Sequence, residues 1–255
     1  MTESPTARSA EIKISFSGVE AGAAFEALEL DREDGRRRAI HFWDKPRRSA
    51  AAGVVLPLLD RKVILRLRRD HEERGPKTDA DMTVKLRPCP ALPPPWQEDL
   101  EGEQWEFTIE EDRTGPAFTT VVAASLQAER EFAVAFKAAE RGSLDHVLIE
   151  PQLELLRTAG VAGEELEDLT ALGPVRAVRW KQDWDAVPGT VVIEEWTTVS
   201  GLRFLEVSVR ADLDDAAEVQ AQLGRTLREL DITPPLSGET KTRSVMLALA
   251  RDLLL

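Results

Sequence analysis

Apolar residues recur at every second position over much of the chain. In "AEIKISFSG", Ile12, Ile14 and Phe16 fall on one face and Glu11, Lys13 and Ser15 on the other. That period belongs to a strand with one face buried and the other polar. "RRRAIHFWD", Arg36 to Asp44, is apolar and aromatic enough for a second strand, which Pro46 ends. "VILRLRR" and "DMTVKLRP" predict a long hairpin around a polar loop holding Gly75 and Pro76, with Val63, Leu65, Leu67, Val84 and Leu86 as its outward apolar set. Five prolines between Pro88 and Pro95 then predict a stiff, irregular connection. "QWEFTIEED" resumes the alternation, with Trp105, Phe107 and Ile109 opposite Glu106, Thr108 and Glu110.

From about Phe118 to Leu172 the pattern changes. Ala-, Leu- and Glu-rich stretches such as "FAVAFKAAERG" have helical spacing with Gly142 at the C-cap, and predict a helical insertion over about residues 116–172. Strands return in "PVRAVRWKQDW", "GTVVIEEWTTV" and "GLRFLEVSVRAD", with Gly189 and Gly201 placed for the turns. Two amphipathic helices over about 213–255, broken at Pro234-Pro235, close the pattern.

Composition narrows the function classes. The 255 residues are 42% hydrophobic, enough for one large core or two modest ones. The longest nearly apolar run, Ala50 to Leu59, falls short of the ~20 residues that span a bilayer, and Pro57 interrupts it. The polar opening "MTESPTARSA" has no apolar segment of a secretory signal, so a cytoplasmic location is expected. The single cysteine, Cys89, excludes an internal disulfide and has no thiolate partner for structural zinc. A net charge of −13 disfavours nucleic-acid or anionic-membrane partners, so any basic site must be local.

Such a site is visible on the polar strand faces. A solvated sheet face normally carries short mixed polar residues. Here it carries long charges: Lys13, Arg38, Arg66, Arg68, Lys85, Arg87, Arg179 and Lys181, with Glu11, Glu106, Glu110, Glu206 and one of Glu194 or Glu195. If the sheet closes into a barrel, these side chains share one lumen. A Lys- and Arg-lined lumen suits a polyanion, and carboxylates among them suit a hard divalent cation, so phosphates chelated by Mg²⁺ or Mn²⁺ are the matching ligand. Trp43, Trp105, Trp180, Trp184 and Trp196 read as packing residues, and His41, His71 and His146 have no metal-ligand spacing.

The ordered strands "SAEIK", "IHFWD", "LRLRR", "TVKLRP", "WEFTIEE", "VRWKQDW" and "FLEVS", followed by terminal helices, resemble the CYTH or triphosphate tunnel metalloenzyme superfamily. The resemblance covers nearly the whole chain from about Ser9. It implies an α+β fold: an eight-stranded antiparallel β-barrel forming a tunnel, with helices packed outside, as a single domain over 9–255 after a polar tail of residues 1–8. It also implies action on triphosphate-bearing compounds with Mg²⁺ or Mn²⁺.

Carried over residue by residue, the family's Glu-x-Glu-x-Lys falls on Ser9, Glu11 and Lys13, so its first acid is a serine here. Its aromatic-Asp stretch falls on Phe42, Trp43 and Asp44, its Arg-x-Arg on Arg66 and Arg68, and its Thr-x-Lys on Thr83 and Lys85. The last acidic pair falls on Glu206 and Ser208. The implied roles are catalysis for Glu11, Lys13 and Lys85, and metal binding for Glu11, Glu106, Glu110 and Glu206. Phosphate binding is implied for Arg38, Arg66, Arg68, Lys85, Arg87, Arg179 and Lys181. Two readings follow: a metal-dependent phosphohydrolase of inorganic or organic triphosphates, or a tunnel that binds polyphosphate or nucleotide without turnover.

Overall fold

The computed structural model describes residues 6–51, 53–70, 80–115, 119–144, 146–234 and 241–255. The predicted loop at Gly75 and Pro76, His71 and Pro235 lie outside them. β1 (Ser9–Ser17) leads through α1 (Gly18–Ala27) to β2 (Arg36–Asp44). A small hairpin of β3 (Arg47–Ser49) and β4 (Gly53–Val55) and the single turn α2 (Pro57–Asp60) precede β5 (Val63–Asp70) and β6 (Ala80–Leu86). Then come β7 (Leu100–Gly102), β8 (Trp105–Thr114), β9 (Thr119–Arg130), α3 (Phe132–Arg141), α4 (Glu150–Thr158) and α5 (Gly163–Glu167). β10 (Thr170–Asp183), β11 (Thr190–Thr197), β12 (Arg203–Asp212), α6 (Ala216–Glu229) and α7 (Lys241–Leu254) complete the chain.

Nine strands close into a barrel in the order β1-β12-β11-β10-β2-β5-β6-β9-β8, with β8 returning to β1. β7 pairs with the first part of β8, and β1 takes the same edge from Glu110 onward. All neighbours are antiparallel except β1 and β8, which are parallel. Parity requires such a pair, because strands that alternate in direction around a ring must be even in number. The expected eight-stranded antiparallel barrel is therefore corrected to a nine-stranded mixed one.

The ninth strand is β9, which the helical insertion had absorbed. Its Ala-, Leu- and Glu-containing sequence favours a helix by intrinsic propensity. In the fold it is paired to β8 on one side and β6 on the other, and those ladders outweigh a propensity difference of a few tenths of a kcal/mol per residue. Ala124 and Leu126 face an apolar layer, while Ser125 and Gln127 face the lumen. The helices of this region begin at Phe132, and α3 ends at Gly142, whose φ of 69° is the left-handed cap that glycine accommodates without Cβ strain.

Two apolar layers lie outside the barrel. Leu65, Leu67, Val84, Leu86, Phe107 and Leu126 pack against α3 and α4 through Ala135, Ala138, Leu155 and Leu156. Ile12, Ile14, Phe16, Val207 and Val209 pack against α1 and α6 through Ala21, Phe25, Val219 and Leu223. A third cluster is internal: Val245, Met246 and Leu249 of α7 meet Ile40, Phe42, Val175 and Trp196. The expectation that all helices pack outside is corrected for α7, which fills one end of the barrel. That is why the "AIHFW" segment of β2 is buried on both faces. Each such fully buried large apolar side chain contributes roughly 1.5–3 kcal/mol.

Candidate functional site

The remaining lumen is a polar cavity of about 640 Å³. Among the described residues, eleven Lys or Arg side chains and seven Asp or Glu side chains line it, a surplus of four positive charges in a chain whose net charge is −13. Strand alternation puts them there. Glu11, Lys13 and Ser15 come from β1, Arg66 and Arg68 from β5, and Glu106, Thr108, Glu110 and Asp112 from β8, each set spaced by two.

The parallel pairing of β1 and β8 sets Glu110 beside Ser9 and Asp112 beside Glu11. Carboxylate oxygens of Glu11, Glu110 and Asp112 lie within 4.8 Å of one another. Lys13 Nζ is 2.5 Å from Glu11 Oε2 and 2.8 Å from Asp112 Oδ1. Lys85 Nζ is 3.0 Å from Asp112 Oδ2 and 3.3 Å from Glu110 Oε1, and Arg87 Nε donates to Asp112 Oδ2 at 2.5 Å. Arg210 donates to Glu110 Oε2 at 3.0 Å. Burial alone would raise the Glu11 carboxyl, but Lys13 and Lys85 hold it at about 2. Burial likewise opposes the Lys13 ammonium, yet Glu11 and Asp112 push it above the ordinary lysine range. The donor set fits a hard divalent cation, since three carboxylates converge and hard cations take oxygen ligands.

A second group lies deeper, against α7. Lys241 Nζ is 2.9 Å from Glu206 Oε1, 3.1 Å from Glu194 Oε2 and 3.9 Å from the Trp196 ring centroid. Ser15 Oγ donates to Glu206 Oε2 at 2.8 Å. Burial would raise the Glu194 carboxyl, but Lys241, Arg68 and Arg66 bring it down to about 2. Arg68 is engaged by Asp81 at 3.0 Å and by the Gln127 amide oxygen at 2.7 Å, and Arg38 by Asp70 at 2.9 Å. Arg66 and Arg179 differ: no described carboxylate pairs with either. Arg66 Nε is buried without a hydrogen-bond partner, and burial together with neighbouring Arg68 lowers its guanidinium to about 10. Neither makes a direct ion pair among the described residues, although Glu194 acts on both at longer range.

Glu11, Lys13, Arg38, Arg66, Arg68, Lys85, Arg87, Glu106, Glu110, Arg179 and Glu206 all line the cavity, as expected. Lys181 does not. It is exposed near the end of β10, where its long side chain reaches solvent, and this part of the expected basic set is corrected. Glu194 faces the lumen, whereas Glu195 lies on the other face, held by Arg32 and Arg203. Glu106 and Glu206 stand apart from the convergent trio, which Asp112 completes. Asp112 continues the period of Glu106, Thr108 and Glu110, so the sequence signal for it existed. Lys241 had none, because no strand pattern announces a helix entering the barrel. Asp44, on the family-like aromatic stretch, instead accepts the backbone N–H groups of Lys45, Leu58 and Leu59 and anchors α2.

No protein-family model matches the sequence, and no curated protein matches it. Solved structures do. A "putative adenylate cyclase" from Bacillus halodurans matches with a TM-score of 0.58 and 13% identity over 93% of this chain and 97% of that one. The "putative adenylyl cyclase" HpAC1 from Hippeastrum, in which a triphosphatase activity dominates, matches with a TM-score of 0.56 and 16% identity over 96% of this chain and 95% of that one. The chain shares the fold of these two structures. Identities this low speak for the fold alone, so the chemistry of this lumen rests on its own residues. No described helix is long and apolar enough to cross a membrane.

Proposed function

We propose that the protein hydrolyses a phosphoanhydride bond of a triphosphate-containing compound held in the lumen, with Mg²⁺ or Mn²⁺. The observation that carries this reading is the pair of lumen cations with no carboxylate in direct contact, Arg66 and Arg179. Unpaired buried charge is costly, and a multiply charged anion is the ligand that relieves it. Arg38, Arg68, Lys85 and Arg87 complete the anion-binding wall. Residues 9–255 act as one domain in this reading, since β1 closes the barrel against β8 and β12, and the cytoplasm is the expected compartment.

Glu11, Glu110 and Asp112 would hold the divalent ion, with Glu106 and Glu206 elsewhere on the cavity wall. When bound, the ion neutralises phosphate charge and lowers the pKa of an attacking water. The residues of the chain supply the remaining functions. Arg66 and Arg179 hold the phosphate chain, and Lys13 and Lys85 stabilise charge that builds on the leaving oxygens. Water attacks the terminal phosphorus, the bridging P–O bond breaks with its electron pair staying on the shortened chain, and the water's protons leave on the two phosphate products. Glu11, held at about 2, is too weak a base to take the proton at neutral pH and suits coordination instead.

The test is release of inorganic phosphate from tripolyphosphate, ATP and thiamine triphosphate with Mg²⁺ or Mn²⁺, beside calorimetric binding of the same compounds. Turnover abolished by EDTA and by Lys85→Ala supports the hydrolase. Binding without phosphate release selects the alternative reading, a tunnel kept for recognition. Ser208, whose hydroxyl donates to the Val192 carbonyl at 3.4 Å where the resemblance expects an acid, favours that alternative. Ser9→Glu with Ser208→Glu should then leave turnover absent.

A further inference from the structure

Five of the six oxygens of Glu11, Glu110 and Asp112 already touch a cationic side chain. The four cations are not held equally. Lys13, Lys85 and Arg87 keep only 15%, 15% and 16% of their side chains exposed, and Lys13 and Lys85 each bridge two of the carboxylates. Arg210, opposite Glu11 on β12, is 60% exposed and reaches the trio through Glu110 Oε2 alone. With Arg210 the cluster holds four positive charges against three negative; without it the cluster is neutral. Glu110 itself is buried, but its bond to Arg210 is the contact of this cluster whose cation is open to solvent, and so the one that water and salt screen most.

We infer that Arg210 is a displaceable resident cation that competes with a divalent metal ion for Glu110 and so sets how tightly the acidic trio holds metal. The inference rests on the metal-dependent reading above. Arg210 is a positioning residue here. The role assigned to it runs through the availability of one carboxylate, Glu110.

The experiment is Mn²⁺ titration of the full chain, by calorimetry and by loss of the free-Mn²⁺ paramagnetic resonance signal. It compares the unaltered protein with Arg210→Gln, Arg210→Lys and the surface control Arg157→Gln. Arg210→Gln should bind Mn²⁺ about tenfold tighter, since a positive charge a few ångströms from the ion is gone. Arg210→Lys should stay near the unaltered protein, and so should Arg157→Gln. Equal Mn²⁺ affinity in Arg210→Gln and the unaltered protein overturns the inference while the metal site stands. Equal tightening in Arg157→Gln overturns it as a general charge effect. No Mn²⁺ bound by any form, with or without tripolyphosphate, overturns both the inference and the metal-dependent reading.

Discussion

Lys241, the first residue of α7, places its ammonium 2.9 Å from Glu206 inside the barrel, with only 5% of the side chain exposed. Glu194 lies directly across from Glu206 in the β11–β12 ladder and shares the same ammonium at 3.1 Å. One cation thus keeps two facing carboxylates together and pins the plug helix to the wall. Removing one partner of a buried ion pair costs about 3 kcal/mol or more. Lys241→Met, which keeps the stem, should lower the melting temperature by roughly 10 °C. Adding Glu206→Gln should recover part of the loss. A melting curve unchanged in Lys241→Met would remove this cluster from the barrel's stability.

Arg66→Ala should behave in the opposite way. Arg66 has no direct ion pair to lose, and the repulsion from Arg68 beside it offsets the longer-range pull of Asp81, Glu194 and Glu11. Thermal stability should hold within a degree or two, while tripolyphosphate affinity falls about tenfold or more, the worth of a charge-assisted hydrogen bond. Calorimetry and thermal unfolding on one preparation check both. Loss of stability with unchanged affinity would contradict the assignment of Arg66 to the anion wall.

Acid should undo the lumen carboxylates. Glu11 and Glu194 sit at about 2 in the fold against an ordinary 4.5, so the unfolded chain binds more protons between those values. Their stabilisation is present above pH 4.5 and lost as pH falls toward 2, at most about 3 kcal/mol each. Denaturant unfolding at successive pH values should show stability falling through that window. Glu194→Gln should flatten part of the slope, and an identical slope in that variant would count against the assigned cause.

His41 predicts an earlier step. It is buried at 6% exposure on β2, its Nδ1 lacks a hydrogen-bond partner, and burial with nearby Arg69 lowers it to about 4 from 6.5. The unfolded chain therefore binds the proton first, and stability should decline as pH falls from 6.5 to 4. His41→Leu should hold stability level across that interval. A decline of the same size in the variant would assign it to other groups.

Alternation made most of the eight expected barrel strands legible, because a strand with one buried face repeats every second residue, while an apolar, aromatic run made β2 legible, which is buried on both faces. The same alternation puts the basic and acidic side chains of β1, β5, β6 and β8 on one face without help from long-range contacts. Three features escaped it for physical reasons. β9 is Ala-rich from Ala123 to Ala128 and owes its strand there to pairing with β8, the other arm of its hairpin, and with the more distant β6. Lys181 has the right parity, but parity says nothing of where along the barrel axis a long side chain ends. Glu194 and Glu195 are adjacent, and only the register with Arg179 and Glu206 decides which one faces inward.

The sequence by itself determined a charged strand face in an acidic chain, since side-chain direction in a strand is a local property of the backbone. The tertiary structure decided closure through the parallel β1–β8 pair, the acidic trio completed by Asp112, and the entry of α7 with Lys241 into the lumen. Those depend on pairings between segments some hundred residues apart, as Lys13 with Asp112 illustrates. Local periodicity carries no record of which segments will meet.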